Sequence, residues 1–190
     1  LLLITLFLRR RGWNAIHLGA NVPIVQVEET LAVTKPRLVI LAAQTLTNAV
    51  HLRAMARTLN KKGIASAFGG RVFNSISGLQ TRIPAHFLGN TIEHSIPIIE
   101  ELAVNPRPAP EEERVKKALL KTSSAFQGAR YQIEVALRNA IGTRVHPAEY
   151  LDFANHFLGD NLAAALELGN ISHLSTDIYW ISNLLTSHQI

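Results

Sequence analysis

The sequence predicts an α/β fold, a mostly parallel sheet with helices on both faces, followed by an all-α C-terminal helical module. Three observations predict it. From Leu1 to Ala103, short apolar runs alternate with stretches of helical period, the pattern of linked strand–helix–strand units. Within that part, Arg37–Ala43 (RLVILAA) is almost continuously apolar, as expected of a strand covered on both faces. Beyond Val104–Pro110 (VNPRPAP), only the 3.6-residue period of helices persists. The expected organisation is an α/β domain over 1–103, a proline-rich linker over 104–110 and a helical module over 111–190.

Leu1–Arg11 reads as a helix and Asn14–Leu18 (NAIHL) as a short strand. Val22–Thr34 is a second helix, stopped by Pro36, because the residue before a proline avoids the helical region. After the buried strand, Leu46–Asn60 places Leu52, Met55, Ala56 and Leu59 on one helical face. Ile64–Phe68 is a strand running into Gly69-Gly70, Phe73–Leu79 a poor helix or a loop, and His86–Leu88 a last short strand. Thr91–Ala103 is a helix that Pro97 kinks or shortens. In the linker, three prolines in seven residues favour an extended, semi-rigid spacer. Glu111–Glu113 then suit the first turn of a helix, where the macrodipole favours negative charge.

In the C-terminal part, Leu119, Thr122, Phe126, Ala129, Ile133, Ala136 and Ala140 form one apolar seam. A second helix starts at His146-Pro147 and runs to about Leu168, burying Leu151, Ala154, Leu158, Leu162 and Ala165, and Gly169-Asn170 ends it. Ser172 caps a third, with Leu174, Ile178, Ile181 and Leu185 inward. The module is expected to be a three-helix bundle or hairpin that supports self-association.

Composition narrows the function. The 190 residues are 47% hydrophobic and 17% charged, a globular balance, and no apolar run approaches the roughly 18 residues of a membrane span. The chain has no cysteine, which excludes disulfides and thiolate chemistry and fits a reducing, cytoplasmic setting. Residues 1–103 carry 11 Lys and Arg against 5 Asp and Glu, and the remainder 8 against 9. This basic bias comes without the aromatic interleaving or basic recognition helix of a nucleic-acid reader. The eight histidines are scattered, with no HExxH-type pair, and there is no GxSxG elbow, phosphate-binding GxxxxGK[ST] or GxGxxG fingerprint. No catalytic residue and no metal ligand is assigned, and the chain reads as a binding domain, not an enzyme.

In a parallel sheet, ligands bind beyond the carboxyl ends of the strands. Those ends carry Gly19 and Asn21, then Ala42, Gln44 and Thr45, then Gly69 and Gly70, then Gly89. Paired glycines allow close approach of backbone to a bulky ligand. Gln44 and Thr45 are suited either to bond a polar ligand or to cap the next helix.

Taken together, "FLRRRGWNAIHLGANVP", "PRLVILAAQTLT" and "IASAFGGRVF", at these separations, resemble the cobalamin-binding domain, most closely the version fused to MerR-type transcription regulators. The likeness covers about Leu1 to Ala103. It implies a flavodoxin-like sheet and a cobalamin cofactor, adenosylcobalamin or methylcobalamin, whose displaced nucleotide tail descends beside the SxL strand and the GG turn. Gly19, Asn21, Ala42, Gln44, Thr45, Gly69, Gly70 and Gly89 are then the cofactor-binding positions. Ala42 occupies the place of the motif serine and Gln44 that of its leucine. The loss of the serine hydrogen bond costs about 0.5–1.5 kcal/mol, and Gln44 or Thr45 is placed to replace it. The spacing puts the family's DxHxxG motif immediately before Leu1. The resemblance therefore implies a sequence truncated at its N-terminus, with the first strand, the cobalt-ligating histidine and the DNA-binding domain upstream, and weak cobalamin binding by this chain alone. The implied function is a cobalamin-binding sensory domain of a bacterial transcription regulator, cytoplasmic, homo-oligomeric through the helical module and touching DNA only through a domain outside this sequence. A corrinoid carrier subunit of a methyltransferase, and a flavodoxin-like domain for another ligand or for protein interaction, are the alternatives.

Overall fold

In a computed structural model of the chain, residues 1–20, 22–141, 148–171, 174 and 179 are described. The chain divides into two compact units, Leu1–Glu113 and Arg114–Ile190. The first is mixed α/β: α1 (Leu2–Arg10), α2 (Ile24–Thr34), β1 (Val39–Ala42), α3 (Leu46–Lys61), β2 (Ser66–Gly69), α4 (Arg71–Ser75), a 3-10 turn (Gln80–Arg82), β3 (His86–Phe87) and α5 (Ile92–Val104). The second contains α6 (Lys117–Ile141) and α7 (Ala148–Leu168). No helix among the described residues is long and apolar enough to cross a membrane.

The three strands form one parallel sheet in the order β1-β2-β3, with Val39 opposite Ser66, Ala42 opposite Gly69, and Ala67 opposite both Ile40 and His86. Side chains alternate across a strand, so the sheet has two distinct faces. On one, Ala67 packs with Leu8 of α1 and with Leu88, Ile96, Ile99 and Leu102 of the β3–α5 region, flanked by Ile4, Trp13 and Ile40. On the other, Phe68 meets the rings of Phe73 and Phe87 at centroid distances of 4.7 and 5.4 Å. Leu46, Ala49, Leu52, Ala56 and Leu59 of α3 are fully or almost fully buried. Of the apolar stripe expected on α3, Leu52, Ala56 and Leu59 are buried and Met55 is half-buried.

Several boundaries and two elements differ from expectation. Asn14–Leu18 forms no strand. A strand needs a ladder partner, and among the described residues this segment has none. Its backbone is held instead by the Arg9 Nε bond to the Ala15 carbonyl (2.8 Å), and Ile16 and Leu18 remain about half exposed (54% and 47%). Glu111–Glu113 do not lie in a helical turn, because α6 begins only at Lys117; Glu112 and Glu113 pair with arginines of the first unit. Arg71–Ser75 is a short helix where a poor helix or loop was expected from Phe73. Pro97 does not shorten α5: it is the sixth of the thirteen residues Ile92–Val104, and the helix continues past it although its missing N–H leaves one carbonyl in the preceding turn without its helical bond. The helix is also capped, with the Thr91 hydroxyl accepting from the His94 N–H at 3.4 Å. The α2 helix ends at Lys35, in left-handed geometry (φ 43°) directly before Pro36.

In the second unit, Leu119, Phe126 and Ala129 of the expected seam are partly covered, whereas Thr122, Ile133, Ala136 and Ala140 are exposed. The seam is replaced midway by charge. Arg130 Nε donates to Glu134 Oε1 at 2.6 Å, and its Nη1 reaches Asp160 at 2.8 Å. Arg138 pairs with Asp152, and Asn155 Nδ2 donates to the Glu134 carbonyl at 2.9 Å. Gly159 lets the helices approach here, since a Cβ at that position would lie 2.9 Å from Glu134 Oε1 and 3.0 Å from Arg130 Nε. Ala165 is fully buried, and Ala154, Leu158 and Leu162 are partly so. The side chain of Leu151 and the helix expected from Ser172 lie outside the described residues.

Candidate functional site

Because all three strands run parallel, their carboxyl ends share one rim, and the connections leaving them meet there. β1 delivers Ala42, Ala43, Gln44 and Thr45; β2 delivers Gly69, Gly70 and Arg71; β3 delivers Gly89 and Asn90. Backbone and side-chain bonds fasten these turns to one another. The Ala43 N–H donates to the Gly69 carbonyl at 3.1 Å. The Arg71 N–H donates to Gln44 Oε1 at 3.4 Å, and Asn74 Nδ2 donates to the Asn90 carbonyl at 3.3 Å.

The two glycines of the GG turn serve different ends. Gly70 has φ 124°, a region essentially reserved for glycine, and a Cβ there would stand 2.0 Å from the Ala43 carbonyl oxygen. It is glycine because the turn after β2 lies flat against the backbone after β1. Gly69 has no such constraint: its backbone is ordinary, and a Cβ would meet no atom within 4 Å. Alternation from Ile40 and Ala67 places Ala42 and Gly69 side by side on the sheet face that α1 and α5 cover. Ala42 is exposed. The end of that face is therefore open and floored by one methyl group and one hydrogen. A ligand group that reaches Gly69 would meet no side chain at that position, which is the respect in which the residues present suit a cofactor's nucleotide tail.

Gln44 and Thr45 are both committed to the fold. Gln44 uses its carbonyl oxygen on the Arg71 N–H. Thr45 caps α3, accepting from the Asn48 N–H at 3.2 Å and sharing a hydrogen bond with the Thr47 hydroxyl at 2.9 Å. Gly89 belongs to the same rim, with φ 80° and His94 Cβ 3.6 Å from its Cβ position. Gly19 (φ 93°) follows the unpaired Asn14–Leu18 segment and makes no hydrogen bond to the rim among the described residues. Asn21 lies outside the described residues.

Two rim residues, Arg71 and Asn74, are not among the site residues assigned from the sequence, although Arg71 closes the strand end Gly69–Arg71. Arg71 is exposed at the start of α4, two residues after Gly69. The available signal was the arginine directly after the glycine pair. Glu93, in the first turn of α5, has a carboxyl held below the usual range by its own backbone N–H and the Thr91 hydroxyl, with a smaller contribution from His94. No group of three or more metal-ligating side chains occurs among the described residues. The histidines described are dispersed: His86 faces the Arg107 carbonyl at 3.2 Å, His94 the Thr91 hydroxyl at 3.3 Å and His156 the Arg130 guanidinium at 3.3 Å.

The fold and site thus define a parallel α/β layer with a glycine-floored rim. No known protein-family model matches the chain, and no curated protein matches it.

Proposed function

We propose that the chain is a cobalamin-binding sensory domain of a bacterial transcription regulator, acting by ligand capture without catalysis of its own. The observation that carries this reading is the open floor made by Ala42 and Gly69 on the α1/α5 face, beside a Gly70 wedged against Ala43. A nucleotide tail laid over that floor would meet the Gln44 amide and the Arg71 guanidinium, one neutral and one charged donor. When bound, the cofactor supplies a cobalt–carbon bond that is cleavable by light in the adenosyl form. The chain's own residues bind and orient.

In this reading the sheet is flavodoxin-like and carries a further strand against the outer edge of β1, where Asn14–Leu18 also finds a partner. The half-exposed Ile16 and Leu18 support that arrangement, since apolar side chains left in water are what an added layer would cover. The helical unit serves homo-oligomerisation, supported by the exposed Tyr131, Phe153 and Phe157 on α6 and α7. Ligand capture then acts through differential affinity for two oligomeric states, and DNA is reached through a separate domain.

The test is the absorption spectrum of the full-length protein purified from cobalamin-supplied cells. Corrin bands that co-purify at one equivalent are expected. A colourless protein that also fails to take up adenosylcobalamin and methylcobalamin on titration overturns the reading.

A further inference from the structure

In the second unit, the start of α6 carries positive charge that nothing among the described residues offsets. Between Val115 and Ile133 the chain has Lys116, Lys117, Lys121 and Arg130 and no Asp or Glu. Arg130 is engaged with Glu134 and Asp160. The three lysines are exposed, and none has a carboxylate partner among the described residues. Cations elsewhere are paired, as Lys62 with Glu28, Arg107 with Glu101 and Arg138 with Asp152. Position adds to the imbalance. Cations in the first turns of a helix oppose its macrodipole, and the first turn of α6 holds no acidic residue.

The face around these lysines suits a polyanion. Lys117, Lys121, Ser124 and Gly128 recur at intervals of three and four, so they share one side of α6. All four are exposed, and they lie opposite Leu119, Ser123 and Phe126, which are covered. Ser124 adds a hydroxyl donor, and Ala125 and Gly128 keep the surface low, so a phosphate backbone can come close to the helix. Leu120 is the single large hydrophobic side chain exposed between Val115 and Arg130. A helix that lies on a bilayer needs a full apolar face beside its cations, and this one lacks it. Lysine meets phosphate as a point charge, whereas carboxylates are gripped best by the paired N–H groups of arginine. We infer that Lys116, Lys117 and Lys121, with Ser124 beside them, form a docking surface for the phosphate backbone of duplex DNA. Such contacts position a duplex and carry no sequence information. The inference is independent of cobalamin, and it adds a contact to DNA beyond the separate domain proposed above.

The experiment follows the backbone amides of the full chain by NMR while a short DNA duplex of arbitrary sequence is added at low salt. Saturable shifts are expected at residues 116–124. Three phosphate contacts give log affinity against log salt a slope of about −2.7, so tripling the salt should weaken binding roughly twenty-fold. Lys116→Gln, Lys117→Gln and Lys121→Gln combined should bring the slope close to zero, and each alone should reduce its size by about 1. Lys121→Gln alone carries the test if the triple variant is destabilised. Arg37→Gln, which removes an exposed cation of the first unit, should leave the slope unchanged, and a scrambled duplex should bind equally well. An absence of shifts at 116–124, a slope retained in the lysine variants, an equal loss in Arg37→Gln or a dependence on the duplex sequence overturns the surface. So does tighter binding of polyglutamate or of phosphatidylserine vesicles than of the duplex at the same salt.

Discussion

A methyl group added at Gly70 would lie 2.0 Å from the Ala43 carbonyl oxygen, whereas one added at Gly69 would meet nothing within 4 Å. The sequence shows two identical neighbours, and the physics separates them. Gly70→Ala should destabilise the first unit by about 3 kcal/mol or more, combining a backbone conformation that excludes side chains with a steric overlap that only main-chain movement relieves. Gly69→Val should change stability by less than about 1 kcal/mol, because a β-branched residue suits a strand end and space is available. Yet it fills the floor of the rim, so on the cobalamin reading it should weaken cobalamin binding by the full-length protein at least ten-fold, about 1.4 kcal/mol. Urea denaturation reads the first pair of effects and spectrophotometric titration the second. Wild-type affinity in Gly69→Val would remove the tail from this face.

At the scale of elements, the end of α7 makes a similar distinction within the helical unit. Gly169 has φ 73°, and the helix closes with its N–H on the Leu166 carbonyl and the Asn170 N–H on the Ala165 carbonyl, a glycine-dependent termination. A Cβ there would also come within 2.8 Å of Val115 Cγ1. Gly169→Ala should therefore cost about 1–3 kcal/mol. Gly128, mid-helix in α6 with open space around it, should respond oppositely: Gly128→Ala should gain about 0.5–1 kcal/mol from helix propensity. A thermal melt of each variant decides, and a stabilised Gly169→Ala would contradict the cap. Elements such as α1, α3, α5 and α7 were legible because their apolar residues recur with helical period and their stops are glycine or proline. The departures share one cause: they depend on partners distant in sequence. Asn14–Leu18 has strand composition but no ladder. Glu112 and Glu113 look like helix-start acids until Arg57 and Arg82 are folded beside them. The α6 seam reads as apolar until Arg130 and Glu134 meet Asp160. Of the candidate site, the glycines and Gln44 were visible as strand-end residues. That Gly70 packs while Gly69 stays open depends on the distance to Ala43, which no local pattern carries.

For the α/β unit as a whole, the decisive feature is the outer edge of β1. In a parallel ladder the backbone groups of alternate residues point to opposite sides. Val39 and Ala43 donate toward β2, to the Ala65 and Gly69 carbonyls at 3.0 and 3.1 Å, so Ile40 and Ala42 point away from it. Among the described residues no strand lies on that side, and the strand Val-Ile-Leu-Ala carries neither charge nor proline to discourage pairing. Hydrogen exchange should divide along this strand, with the Ile40 and Ala42 amides exchanging at least about 100-fold faster than those of Val39 and Ala43. In a longer chain whose sheet continues past β1, as the flavodoxin-like reading requires, the same two amides should slow to match their neighbours while Val39 and Ala43 stay unchanged. Ala42 would then be bonded on its outer side and floor the rim on its inner one, so sheet completion and ligand capacity should rise together. If Ile40 and Ala42 remain fast in a chain that binds cobalamin tightly, the added strand is wrong even though the cofactor is right. If they are slow in this chain by itself at micromolar concentration and speed up on dilution, the edge is being covered by a second copy.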